Sequence, residues 1–218
     1  MHTYSSRLYH FVNLYELLKL LKNKLSLHFI MDKYKYSQNW FLGSEIRKYI
    51  TSVVDGSKEQ HILEIGCFEG LSSVFFADKL LENEKSSLVC IDPFMKLEDN
   101  DHTQYLMNDE EANFDHNISI CKNVEKITVN KITSDEFFET NEKMYTFIYI
   151  DGCHNTEFIT RDMENSFKFL ESGGIMWMDD YRGGKDDAIK NTMDAFLVKY
   201  QGKYELLHTG YQLAIRKI

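Results

Sequence analysis

A glycine-containing turn between a predicted strand and a predicted helix is the feature that most restricts how this chain can fold. The apolar strand 60–65 leads into Gly66 and Gly70, and Ser72 lies where the following helix would start. Glycine allows a tight turn and close approach of the backbone to a ligand, and a helix start offers unpaired N–H groups to an anion. The pattern therefore predicts a nucleotide-type cofactor site at the end of this strand.

A second predicted strand strengthens that interpretation. Residues 87–92 are mostly apolar and end in Asp92. A carboxylate in this place can accept hydrogen bonds from both hydroxyls of a ribose. A glycine turn alone is common among proteins. A glycine turn followed by a strand that ends in a carboxylate is a more specific indication of a nucleotide-type cofactor site.

The remaining chain alternates between predicted strands and helices and then ends in a predicted hairpin. Further strands are expected at 126–130, 145–150 and 174–178, helices at 39–54, 156–170 and 186–200 and from Ser134, and hairpin strands at 204–208 and 211–216. This order predicts an α/β, Rossmann-like single domain. Its sheet would be seven-stranded and mostly parallel, with one antiparallel strand from the C-terminal β-hairpin and helices on both faces.

Residues 1–37 are predicted to form an accessory helix region ahead of the main domain, 38–218. Apolar residues along 8–25 make one helical face, which favours packing on the domain or on a partner subunit, as a homo-oligomer, over a membrane surface. Lysines interrupt the most apolar run, 14–31, and no signal-peptide pattern is present. A cytoplasmic protein without a membrane partner is expected. The abundance of Lys, Asn, Tyr and Ile suggests an AT-rich genome, and if that genome is viral the location would be the host cytoplasm.

Charge and cysteine content disfavour two classes of function. The chain has 25 Lys and Arg against 34 Asp and Glu, and it lacks a basic cluster, which argues against a nucleic-acid partner. Its four cysteines form no C-x-x-C pair, which argues against a zinc site and favours reduced, buried thiols.

The segment 93–122 is acidic and polar, and it shows no sustained hydrophobic period. It follows the second strand, so it should project from the edge of the sheet where ligands bind. Two interpretations stay open: a solvated surface excursion, or a lid over a bound acceptor.

Acidic side chains follow the fourth and fifth predicted strands. Asp151 and His154 come directly after one strand, and Asp179 and Asp180 after the next. Because parallel strands end at the same edge of a sheet, three carboxylates and an imidazole should converge beside the glycine turn, where oxygen ligands suit Mg²⁺ or Mn²⁺. The alternatives are that Asp151 caps the helix near Thr156, that the aspartate pair is capping or solvated, and that the histidine is structural.

These motifs together resemble the class I S-adenosylmethionine-dependent methyltransferases. The resemblance is carried in order by Glu64-x-Gly66-x-x-x-Gly70-x-Ser72, Ile91-Asp92, Asp151-Gly152-x-His154, Gly173-Gly174 and Asp179-Asp180-Tyr181. The most similar group is the metal-dependent O-methyltransferases of macrolide sugars and related sugars, and the catechol O-methyltransferases are more distant. The resemblance covers residues 38–218.

The resemblance implies a role for each matching residue. Binding of S-adenosylmethionine would involve Glu64, Gly66, Phe68, Gly70, Ser72, Asp92, Ser134, Asp135 and Asp151. Asp151, Asp179 and Asp180 would ligate Mg²⁺ or Mn²⁺. His154 would be the general base, with Asp151 beside it as the second catalytic residue. Phe68 stands where many methyltransferases have a glycine.

The expected activity is divalent-metal-assisted O-methylation of a sugar or glycoside, with a small-molecule or glycan acceptor. One alternative is O-methylation of a small catechol-like or other vicinal diol. Another is a catalytically inactive cofactor-binding or assembly protein. The presence of all three predicted metal-ligating carboxylates argues against this alternative, because an inactive site would be expected to have lost some of them. A nicotinamide oxidoreductase is disfavoured by Glu64 and by the terminal hairpin.

Overall fold

A computed structural model describes residues 33–95, 109–183 and 187–218. Residues from Ser37 to Ile218 form one compact unit, and the description below concerns that unit. The predicted helix at 8–25, the most apolar run at 14–31 and the middle of the acidic segment, 96–108, lie outside the described residues.

Seven strands form a single sheet, as the sequence predicts. They are β1 His61–Ile65, β2 Ser87–Ile91, β3 Ile127–Asn130, β4 Tyr145–Ile150, β5 Leu170–Met178, β6 Tyr204–Thr209 and β7 Leu213–Lys217. Their order across the sheet is β3-β2-β1-β4-β5-β7-β6, and β7 alone runs in the direction opposite to the other six strands. The Rossmann-like α/β fold with one antiparallel strand from a C-terminal hairpin is therefore confirmed.

Six α-helices connect these strands among the described residues. They are α1 Ile46–Val53, α2 Leu71–Leu80, α3 Glu110–Ser119, α4 Ser134–Thr140, α5 Thr156–Phe169 and α6 Ala188–Lys199. The central strands β1 and β4 are buried along nearly their whole length. Such continuous burial requires cover on both faces of the sheet, which explains why these strands are apolar runs rather than alternating sequences.

The predicted helix at 39–54 is wrong in its first half. Trp40–Gly43 is a short 3-10 helix, and α1 begins only at Ile46. Ser44 between them is extended, with ψ of 149°, and its hydroxyl donates to the carbonyl of Phe41 at 2.7 Å. A serine that bonds to nearby backbone competes with helix formation, so the chain turns here. The fifth strand also starts earlier than predicted, at Leu170, with an irregular register against β4.

Within the acidic segment, Glu110–Ser119 forms the helix α3, although the sequence there shows no sustained hydrophobic period. α3 buries Phe114, Asn117 and Ile118, which share one helical face. The hydrophobic pattern of this face is interrupted because one of its buried residues, Asn117, is polar. The side-chain amide of Asn117 donates to the buried carbonyl of Glu69 at 2.8 Å. α3 packs on α2, and its Phe114 ring lies against Gly70 of the glycine turn.

Candidate active site

A cavity of about 800 Å³ opens at the carboxyl edge of the sheet. Most predicted site residues line it, namely Gly66, Phe68, Ser72, Asp92, Ser134, Asp135, Asp151, His154, Asp179 and Asp180. Glu64 and Gly70 are absent from its lining. The parallel strands bring these residues together: the Asp151 amide donates to Ile65 at 2.8 Å and the Asp179 amide to Ile150 at 2.9 Å.

The glycine turn is packed directly against the end of β4. Gly66 has φ of +84°, and a Cβ at this position would lie 2.0 Å from the carbonyl oxygen of Asp151. Only glycine meets both demands, the left-handed backbone and the close approach. Phe68 replaces the common glycine and adopts φ of +48°, which is unusual for a bulky residue.

Asp92 holds this turn in place. One carboxylate oxygen accepts from the amides of Cys67 and Phe68 at 2.8 and 2.9 Å, and the other accepts from Phe94 at 2.8 Å. These bonds explain how Phe68 keeps its left-handed conformation. Burial raises the pKa of Asp92 above its usual value, although the three N–H donors oppose that shift.

Glu64 lies beneath the turn instead of facing the cavity. Its side chain is fully buried, and the Ser72 hydroxyl donates to one oxygen while the Cys90 thiol approaches the other at 3.6 Å. Burial raises the pKa of Glu64 to about 7. Ser72 lines the cavity, but its hydroxyl hydrogen is given to Glu64, where the sequence predicts contact with the cofactor carboxylate.

Asp151 and Asp179 meet through a buried tyrosine that sequence reasoning missed. The hydroxyl of Tyr149 lies 3.0 Å from Oδ2 of Asp151 and 3.0 Å from Oδ2 of Asp179. Because a phenol has one hydrogen, one of these contacts requires a proton on a carboxyl group. Burial and the mutual repulsion of the acids raise the pKa of both Asp151 and Asp179. Tyr149 precedes Asp151 by two positions on β4, so strand periodicity was the signal that could have identified it.

Gln212, between β6 and β7, fixes Asp179 from the other side. Its Oε1 accepts from the Trp177 indole at 2.9 Å and from the Ile46 amide at 2.7 Å, so the amide nitrogen must point away. That nitrogen donates to Oδ1 of Asp179 at 2.9 Å, and the Asp180 amide donates to the same oxygen at 2.8 Å. Asp179 is therefore held by donors at both oxygens. No local sequence pattern indicates Gln212, because its partners are remote in the chain.

Asp180 connects the imidazole to the hairpin. Its Oδ2 lies 2.8 Å from Nε2 of His154, and its Oδ1 accepts from the Tyr211 hydroxyl at 2.5 Å. Asp180 has φ of +57°, a conformation that costs energy for a residue other than glycine and that turns its carboxylate back over the strand ends. Tyr211 is a third residue, after Tyr149 and Gln212, that the sequence did not indicate.

The donor groups at this edge fit a divalent cation. One ligand atom each from Asp151, His154 and Asp180 lie within 4.8 Å of one another. Carboxylates held this close repel one another unless a proton or a cation lies between them. The carboxylate oxygens suit Mg²⁺ or Mn²⁺, and the imidazole lies beside them. Asp179, the third carboxylate that the sequence predicts as a ligand, lies outside this group of three and accepts hydrogen bonds from Tyr149 and Gln212.

Asp151 does not cap the following helix, so that alternative is wrong. The N-cap of α5 is Asn155, whose side chain accepts from the Glu157 amide at 2.9 Å. The carboxylate of Asp151 stays at the cavity.

The far side of the cavity carries Ser134 and Asp135 at the start of α4. Asp135 accepts from Nε of Arg161 at 3.0 and 3.1 Å. The Ser134 hydroxyl donates to Oδ1 of Asp162 at 2.5 Å. Asp162 is buried and lines the cavity, and burial raises its pKa to about 7.

The cavity lining is acidic and partly aromatic. Nine carboxylic residues line it, and no lysine or arginine does so among the described residues; the acids are Glu45, Asp92, Glu110, Glu111, Asp135, Asp151, Asp162, Asp179 and Asp180. Trp40 is half exposed, and its ring stacks on Phe68 with centroids 5.3 Å apart. The lining favours ligands that are neutral or positively charged.

Comparison with known proteins agrees with this architecture. Residues 63–181 match a family model described as a methyltransferase domain. No curated protein matches the sequence. None of the described helices has the length and apolar character needed to span a membrane.

Three solved structures illustrate the likeness in fold. A Clostridium thermocellum protein described as an rRNA-methylase has 17% identity and a TM-score of 0.63, covering 84% of this chain and 98% of its own. An O-methyltransferase from Bacillus cereus, solved with SAH, has 14% identity, a TM-score of 0.55 and 90% coverage of both chains. The Streptomyces achromogenes O-methyltransferase TomG, solved with SAM, has 13% identity, a TM-score of 0.54 and 73% coverage of both.

Proposed function

This chain belongs to the methyltransferase-domain family, and we propose that it is an S-adenosylmethionine-dependent O-methyltransferase assisted by a divalent metal, acting on a sugar or glycoside. The observation that carries the proposal is the convergence of Asp151, His154 and Asp180 in a cavity beside the glycine turn. A proton acceptor and metal-type ligands then lie next to the methyl-donor site.

The donor site is proposed from the turn and from the end of β2. Gly66 and Phe68 would pack against the methionine portion, and Asp92 would accept from the ribose hydroxyls. The structural neighbours solved with SAH and SAM, from Bacillus cereus and Streptomyces achromogenes, support the choice of cofactor.

The metal would be held by Asp151 and Asp180, with Asp179 as the third carboxylate. When bound there, a divalent ion would lower the proton affinity of an acceptor hydroxyl and fix its orientation. Tyr149 and Gln212 set the direction of the carboxylates, so they would preorganise the site without touching the acceptor.

His154 is proposed to take the proton of the acceptor hydroxyl at the ring nitrogen that does not face Asp180. With the donor bound, the acceptor oxygen would take the methyl group, and the electron pair of the broken carbon–sulfur bond would stay on sulfur to give S-adenosylhomocysteine. Asp180, 2.8 Å from Nε2, would stabilise the imidazolium that forms. The cavity walls would hold the acceptor oxygen, the methyl carbon and the donor sulfur in a line, which lowers the entropic part of the barrier.

A sugar or glycoside acceptor is consistent with the cavity lining. Nine carboxylates would repel a phosphorylated substrate or a nucleic-acid backbone. The half-exposed Trp40, stacked on Phe68, offers a flat apolar surface that the C–H face of a sugar ring can cover.

Transfer of a labelled methyl group to a panel of neutral glycosides, amino-sugar glycosides and catechols tests this proposal. We expect transfer to a glycoside in the presence of Mg²⁺ or Mn²⁺, loss of transfer with a chelator, and loss in Asp151→Asn with the fold retained. Turnover that persists in chelator-treated protein would reject the metal role. Transfer to catechols alone would reject the sugar acceptor.

A further inference from the structure

A second cluster of metal-type ligands lies beneath the glycine turn, apart from the group at the cavity edge. One ligand atom from each of Glu64, Cys67 and Cys90 lies within 4.8 Å of the other two. All three residues are buried, with at most 3% of their surface exposed. The cysteine spacing in the sequence shows no metal motif, because it is the pairing of β1 with β2 that brings the thiols together.

Neighbouring strands place these side chains on one face of the sheet. Glu64 and Cys90 are direct partners in the parallel pairing of β1 with β2, so their side chains point the same way. The Sγ of Cys90 lies 3.6 Å from Oε2 of Glu64. Cys67 follows β1 in the glycine turn, and its Sγ lies 3.5 Å from the carbonyl of Ile91. Both cysteines are free thiols.

This donor set fits a thiophilic divalent ion such as Zn²⁺. Zinc binds thiolates at about 2.3 Å and carboxylate oxygens at about 2.0–2.2 Å in a tetrahedron, so two of its ligand atoms lie about 3.6–3.8 Å apart. Ligand atoms within 4.8 Å of one another reach these separations by shifts of about 1 Å. Mg²⁺ and Mn²⁺ prefer oxygen ligands, so the thiols distinguish this cluster from the carboxylates of the cavity.

Two further observations point to a cation in this place. The Ser73 side chain lies beside Glu64 and Cys90, and its buried hydroxyl makes no hydrogen bond with the described residues, so it can supply a fourth ligand. Two thiolates and a carboxylate around Zn²⁺ leave one net negative charge, which is favourable at the start of a helix, here α2. Without a metal, a proton takes the place of the cation, and burial raises the pKa of Glu64 to about 7.

We propose that Cys67, Cys90 and Glu64 form a zinc site that fixes the glycine turn to β2. Cys67 directly follows Gly66, so a metal bond to its sulfur would restrain the turn from below. An ion can reach the cluster from the cavity, because Cys67 is part of the cavity lining. Binding would release the protons of both thiols, so the affinity for Zn²⁺ should rise with pH. The site goes beyond the proposed function and does not depend on it.

Titration of the reduced full chain with Co²⁺, in excess Mg²⁺ to fill the carboxylate group at the cavity edge, tests the assignment. Co²⁺ can replace zinc in tetrahedral sites, and thiolate ligands give it an intense near-ultraviolet absorption that oxygen and imidazole ligands do not give. We expect this absorption to saturate at about one ion per chain and to disappear when Zn²⁺ displaces the Co²⁺.

Serine replacements identify the ligands. Cys67→Ser and Cys90→Ser should each weaken Co²⁺ binding more than about a hundredfold, because even the loss of a group that only orients a ligand costs about ten- to a hundredfold. Cys121→Ser and Cys153→Ser are the matched controls and should bind Co²⁺ as wild type does. Cys121 is also buried, and Cys153 lines the cavity beside the carboxylates.

Two results would overturn the assignment: wild-type protein that shows no thiolate absorption, or absorption that is unchanged in Cys67→Ser and lost in Cys153→Ser. X-ray absorption at the zinc edge of wild-type protein gives the answer if the serine variants fail to fold. Two sulfur neighbours at about 2.3 Å would support the site, and oxygen and nitrogen neighbours alone would refute it. Neither measurement uses a methyl donor or an acceptor, so failure of the zinc site and failure of the methyltransferase proposal are separate results.

Discussion

Glu64 shows how a single buried residue makes the stability of this protein depend on pH. Its pKa is raised from 4.5 to about 7 because the folded chain removes it from water. Between these values the folded state holds a proton that the unfolded state has released. Unfolding therefore becomes easier as pH rises through this window, and the penalty is complete above about pH 7.

The variant Glu64→Gln should escape this penalty. Its amide can still accept from Ser72 but carries no titratable proton. Relative to wild type, the variant should gain up to about 3 kcal/mol in free energy of unfolding between about pH 4.5 and about pH 8. Urea unfolding of both proteins across this range measures the difference. A difference that stays constant with pH would mean that Glu64 keeps an ordinary pKa in the fold.

At the scale of an element, the glycine turn depends on contact with β4 more than on backbone conformation alone. Gly66 and Gly173 both have φ near +80°, but a Cβ at Gly66 would collide with the Asp151 carbonyl, whereas a Cβ at Gly173 would meet nothing within 4 Å. The two positions therefore separate the cost of strain from the cost of a clash.

Gly66→Ala should destabilise the protein by several kcal/mol, beyond the cost of about 1–2 kcal/mol expected of a left-handed alanine. Gly173→Ala should show only that smaller cost. Thermal or urea unfolding of the two variants provides the comparison. Equal losses would show that the turn is not packed against β4 as described.

The terminal hairpin is the second element whose role can be tested. Gln212→Leu removes one donor and one acceptor and leaves Asp179, the Trp177 indole and the Ile46 amide without their buried partner. We expect a loss of about 2–5 kcal/mol, because each buried unsatisfied group is costly. Tyr211→Phe removes one hydroxyl from a side chain that is about half exposed, so it should cost less than about 1 kcal/mol in stability. Similar losses in both variants would contradict the bridging role of Gln212.

At the scale of the whole molecule, the features that can be predicted are those encoded by residues close together in the sequence. Apolar runs predict the parallel strands, and the acids that follow them predict the edge where the cavity opens, because strand ends converge by topology. The parallel direction of most strands follows from the same alternation, and the terminal hairpin predicts the one antiparallel strand. Each of these features is encoded within a few residues of where it appears.

Features that join remote parts of the chain were not predictable in this way. Gln212 reaches Asp179 across 33 residues and Ile46 across 166 residues, and neither contact leaves a local pattern. Asn117 is polar on the buried face of α3 because it bonds to a carbonyl of another loop, so its helix was missed. Asp162 looks like an ordinary acid on an amphipathic helix until the fold places it inside the cavity.

The central claim is that the cavity at the carboxyl edge binds the methyl donor. The most direct measurement is the thermal unfolding of the full chain with S-adenosylhomocysteine and, in parallel, with NAD⁺. S-adenosylhomocysteine should raise the melting temperature progressively as its concentration rises above its Kd, and NAD⁺ should leave it unchanged. A shift with NAD⁺, or no shift with saturating S-adenosylhomocysteine, would contradict the claim.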